Sequence, residues 1–131
     1  MTPFDLDKLH DHCSNLGFHA KRSATERLEV TLVKDVSLVF ANLDDESDTL
    51  IGFKGTPWHA HGNITLMIGS TEYVELSEYE LLSALKAGEV VLVERFVSGV
   101  LEDRWIVDRR APVDIRYIQP HEEIRVRSVA D

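Results

Sequence analysis

"RLEVTLVKDVSLVF", residues 27–40, holds two hydrophobic patterns around one polar pair. In the first half Leu28, Val30 and Leu32 fall on one face, the period of two expected of a half-buried strand. Lys34 and Asp35 then suit a tight turn. Beyond them "VSLVFANL" is apolar on both faces, as a strand with neighbours on either side requires. A two-residue link allows only antiparallel pairing, so the stretch predicts a hairpin at the centre of an antiparallel sheet.

The period changes on the N-terminal side. Leu6, Leu9, Cys13 and Leu16 recur at spacings of three and four, an apolar helical stripe. Thr2 can cap this helix, Pro3 suits its first turn, Asp5 favours its positive end, and Gly17 ends it. The reading is one helix over residues 3–16. On the other side come an acidic turn, "DDESD" at 44–48, and the short strands "TLIGF", "NITLMI" and "TEYVEL". A second helix follows. Ser77 and Glu80 spell a capping box, Leu76 and Leu81 occupy the staple positions, and Gly88 marks the stop.

"EVVLVERFV" and "VLEDRWIV" flank Ser98-Gly99, a two-residue hairpin signal. "APVDIRYIQP" and "EEIRVRSV" read as two further strands. In the last, Ile124 and Val126 alternate with Glu123, Arg125 and Arg127, giving one buried and one wet face. Strands in runs rather than alternating with helices predict an α+β fold over a single domain, residues 1–131. Its largely antiparallel sheet would hold about seven to nine short strands, with an N-terminal and a central helix. No G-x-G-x-x-G or Walker loop is present.

The chain carries a net charge of −9, which opposes phosphate backbones and disfavours nucleic acid as a partner. It suits a basic protein partner, and it also serves solubility. The bases beyond residue 88 are all arginines (Arg95, Arg104, Arg109, Arg110, Arg116, Arg125 and Arg127), for which cross-strand acidic partners are expected. Cys13 is the one cysteine, so no internal disulfide can form. No apolar run approaches the roughly 20 residues of a membrane span, and "MTPFDLDKLHDHC" does not read as a signal peptide. A cytoplasmic location without membrane contact is expected; the oligomeric state is left open.

The chemistry concentrates in "GTPWHAHG", residues 55–62. In an extended segment His59 and His61 point the same way and can reach one ion. A metal site needs a third ligand. Glu72 and Glu75 are candidates across a hairpin, His121 and Cys13 more distant ones, and His10 and Cys13 share a helix face. The cupin pattern requires a glutamate a few residues past the pair, where Thr65 and Leu66 stand. The JAMM protease pattern requires an aspartate where Tyr73 stands. The chain shows neither signature. Cys13, on an apolar stripe, reads as an inert thiol, and there is no G-x-S-x-G elbow.

The sequence therefore favours a small acidic protein-binding domain of inhibitor or immunity-like type, without catalytic residues or cofactor. Trp58, His59, His61, Asp44, Asp45 and Glu46 would contact the partner. The alternative is a metal-binding protein or metal-dependent enzyme that holds a divalent ion such as zinc on His59 and His61.

Overall fold

The computed structural model describes residues 3–43, 48–111, 113 and 118–130. Among them are two helices and ten strands. Helix α1 spans Leu6–Leu16. It is followed by β1 His19–Ala24, β2 Arg27–Val33, β3 Val36–Asn42, β4 Thr49–Phe53, β5 His59–Ala60, β6 Ile64–Met67 and β7 Tyr73–Leu76. Helix α2, Glu78–Ala87, leads into β8 Val90–Val97, β9 Val100–Asp108 and β10 Glu122–Arg127. The expected α+β class holds. The strands form three antiparallel sheets rather than one, in the orders β1-β2-β3-β4-β5, β10-β8-β9 and β6-β7.

The hairpin that opens the sequence is β2–β3. It turns at Lys34-Asp35, with Leu28 opposite Phe40 and Val30 opposite Leu38. These side chains are fully buried, and with Ile51 and Phe53 they form the inner face of the five-stranded sheet. Leu6, Leu9 and Cys13 of α1, Leu81, Leu82 and Leu85 of α2, and Val90, Leu92 and Ile106 of the β10-β8-β9 sheet join the same core. Strand β3 is central and buries Val39 on its other face as well, as its two-sided apolar pattern requires.

Helix α1 starts later than its composition suggests. Asp5, not Thr2, is the cap, and its carboxylate accepts from the Lys8 amide; Thr2 lies outside the described residues. The preceding backbone is held by the sheet. The Phe4 amide donates to Asn42 Oδ1 at 2.7 Å, and Asn42 Nδ2 donates to the Phe4 carbonyl at 3.0 Å. The Phe4 ring packs edge-on against Phe40, with centroids 5.7 Å apart. A tertiary clamp has outcompeted a local helical turn.

At α2 the local signal prevails. Ser77 Oγ accepts from the Glu80 amide at 3.2 Å, and Glu80 Oε1 accepts from the Ser77 amide at 3.0 Å, closing the capping box. Such a cap contributes about 1 kcal/mol. The β8–β9 link is also as expected, with φ of 50° at Ser98 and 83° at Gly99, the two positive values of a type I′ turn.

Strand β10 departs from its pattern. Val126 is 55% exposed, although alternation placed it on a buried face. Among the described residues the strand pairs only with β8, and Arg125 and Arg127 stand opposite Glu94 and Leu92. Residues directly opposite share a face. On the charged side Glu123 and Arg125 stay exposed, while Arg127 is partly buried because it joins a buried ion network.

Glu94 and Arg104 face each other across β8–β9 and are only 2% and 4% exposed. Arg104 Nε and Nη2 both donate to Glu94 Oε2, at 2.9 and 2.7 Å. The Arg104 guanidinium lies over the Phe53 ring, 5.7 Å from its centroid. Arg127 approaches Glu94 at 3.4 Å and holds Asp35 of the β2–β3 turn at 3.1 Å. This contact keeps the Asp35 carboxyl below its ordinary range. The network ties the small sheet to the large one. Of the strands expected from the sequence, half of "APVDIRYIQP" lies outside the described residues. Among the described residues no helix is long and apolar enough to cross a membrane.

Candidate functional site

The His59/His61 segment forms the edge of the five-stranded sheet. Among the described residues strand β5 pairs only with β4, placing Ala60 opposite Ile51 and His59 opposite Gly52. Both histidines are exposed, and their rings stand edge to face with centroids 5.3 Å apart. Period two thus brings the two imidazoles together, as the sequence suggested. After His61 the chain turns at Gly62, whose φ of 68° few other residues adopt. That turn aims the Gly62 amide at the buried Thr49 hydroxyl, 2.9 Å away.

Both rings are oriented by backbone carbonyls. His61 Nδ1 lies 2.6 Å from the Thr49 carbonyl and 3.0 Å from Asp48 Oδ1. His59 Nδ1 lies 3.1 Å from the Pro57 carbonyl. A carbonyl can only accept, so Nδ1 carries the hydrogen in each ring and Nε2 is left outside these bonds. Trp58 lies on the same loop. It is half-buried and packs on Phe53 at 5.7 Å, against the core, so it supports the fold as well as the surface. Asp44, Asp45 and Glu46 lie outside the described residues.

Of the other metal-ligand candidates, Glu75 and His10 are engaged elsewhere. Glu75 Oε1 accepts from Asn63 Nδ2 at 3.1 Å. His10 Nε2 donates to the Ala20 carbonyl at 3.1 Å. Burial pushes the Cys13 thiol up to about 11, which keeps it protonated and unreactive. Among the described residues no group of three or more histidine, cysteine or carboxylate side chains is placed to hold an ion.

Two arrangements were not legible in the sequence. His12 Nε2 lies 3.0 Å from Ser83 Oγ, a pairing that resembles a nucleophile and its base. The same nitrogen is 3.1 Å from the Tyr79 carbonyl, so it carries a hydrogen there and has no lone pair for the serine proton. The contact joins α1 to α2 and is not a catalytic dyad. The second arrangement is a groove of about 730 Å³ beside His61. Pro3 and Phe4 form one wall, Ser77, Glu78 and Tyr79 of the α2 start another, and Asn63 and Glu75 a third. Burial, then the carboxylates of Glu78 and Asp5, push the Tyr79 phenol above its ordinary value, a sign of the negative field there. These residues are scattered along the chain; the sequence had singled out Pro3, His61, Glu75 and Ser77 separately, and nothing in it joined them.

Compared with known proteins, the chain matches no family model, no curated protein and no solved structure.

Proposed function

We propose that this chain is a non-catalytic protein-binding domain whose groove beside His61 receives a lysine- or arginine-bearing segment of a basic partner. The observation that carries this reading is the groove itself, with Glu75, Glu78 and Tyr79 on its walls. A cationic side chain there meets carboxylates and a π surface at once. The net charge of −9 would steer such a partner toward the domain. In its most specific form the reading is an inhibitor of immunity type that covers the basic active site of a toxin. A cytoplasmic location fits it, with Cys13 kept as a buried thiol.

Titration calorimetry with an arginine- and lysine-rich peptide tests the proposal. Glu75→Gln with Glu78→Gln should weaken binding by about tenfold, the value of one or two desolvated charge contacts. Glu102→Gln with Glu123→Gln, an exposed control pair, should leave it unchanged. Equal losses from both pairs would reduce the groove to a general charge effect and end the reading.

One observation supports the alternative of a divalent metal such as zinc. The Nδ1 atoms of His59 and His61 both face backbone carbonyls, which orients Nε2 as a metal-ligating histidine requires. Under this alternative, added zinc should raise the melting temperature, and His59→Ala with His61→Ala should abolish the rise. A melt insensitive to zinc and to chelator leaves the protein-binding reading alone.

A further inference from the structure

The outer face of the five-stranded sheet carries positive charge on an otherwise acidic chain. Lys21, Glu29, Val39, Gly52 and His59 form one row across it, each opposite the next. Three cations converge on the one carboxylate. Lys21 Nζ lies 3.8 Å from Glu29, Arg27 Nη2 3.4 Å and Lys54 Nζ 3.6 Å. The Glu29 side chain is 10% exposed, while those of the cations are 44–64% exposed. One cation would neutralise Glu29. The other two add repulsion among like charges that the contacts within the cluster do not remove.

Beside this surplus the sheet has a depression of about 290 Å³. Its floor is Val39 and Gly52, and its walls are Arg27, Lys54 and the loop from Gly55 to His59. Gly52 makes the loop's approach possible. A Cβ there would lie 3.1 Å from the Trp58 carbonyl oxygen and 3.3 Å from His59 Cβ. Thr56, on the same wall, keeps its hydroxyl oxygen buried and without a hydrogen-bond partner. Such an unpartnered group is a cost to the fold. The surplus charge and the depression are the two observations that meet here.

We propose that this depression binds the oxyanion of a small molecule, a phosphate or a carboxylate, between Arg27 and Lys54. Arg27 supplies a planar fork and Lys54 a point charge, the two donor types that oxyanion sites combine. Lys21 strengthens the field without lining the depression. The site does not rest on the acidic-groove reading. It has the opposite charge and other residues, and either can fail alone.

The test is a titration of the whole chain with inorganic phosphate and, separately, with acetate, at ionic strength held constant with chloride and followed by amide NMR shifts. Saturable shifts at Gly52, Gly55, Thr56 and His59 support the site. Stronger phosphate binding assigns a phosphorylated ligand, and stronger acetate binding a carboxylate. Lys54→Gln should weaken binding by about fivefold, the value of one partly exposed ion pair. Thr56→Val should leave binding unchanged and the melting temperature unchanged or raised, because the variant removes a buried, unpaired hydroxyl. Shifts that do not saturate with either anion, that centre on Arg109 and Arg110, or that persist unchanged in Lys54→Gln would overturn the proposal.

Discussion

Arg104→Met should unfold at a much lower urea concentration than the parent chain, with a loss of about 3–5 kcal/mol. The reason is what remains behind. Glu94 is 2% exposed, and both of its short contacts come from Arg104. Arg127 stands farther off, at 3.4 Å, and is shared with Asp35, so it offsets only part of the loss. A double variant, Arg104→Met with Glu94→Leu, should recover most of the stability, because it leaves no charge unpaired and fills similar volume. The comparison separates the worth of the pair from the penalty of breaking it. A single variant within about 1 kcal/mol of the parent would mean that water reaches Glu94 freely.

Gly52→Ala should cost about 1–3 kcal/mol, the usual penalty for forcing a methyl group into a filled site. The new Cβ would meet the Trp58 carbonyl at 3.1 Å, a backbone atom that can move only with its loop. The damage should therefore be local. The β5 segment, held to β4 by its pairing at Ile51 and Gly52, should lift away and carry Trp58 off Phe53. Hydrogen exchange would show this as faster exchange at His59 and Ala60, with β8 and β9 still protected. Uniform acceleration across the sheets would contradict the account and point to a general loss of stability. The same variant should impair oxyanion binding, since the loop is a wall of that depression.

Some parts of the molecule were set by the chain's own local chemistry. The β2–β3 hairpin follows from alternation and a two-residue turn, and α2 from a capping box whose atoms lie within a few residues of one another. The closeness of His59 and His61 follows from the period of an extended strand. Local steric and hydrogen-bonding preferences decide each of these, so the sequence states them directly. The rest depended on contacts between distant segments. Asn42 captured Phe4 and delayed α1. Arg127 of β10 was drawn into the ion network that buries Arg104 with Glu94. The groove beside His61 drew its walls from the N-terminus, β7 and α2. Phe53 took Trp58 partly into the core, and Gly52 opened the outer face between three cations. Pairing energies across the sheet and the burial of apolar area outweigh local preference at these places, and neither is a property of any short stretch of sequence.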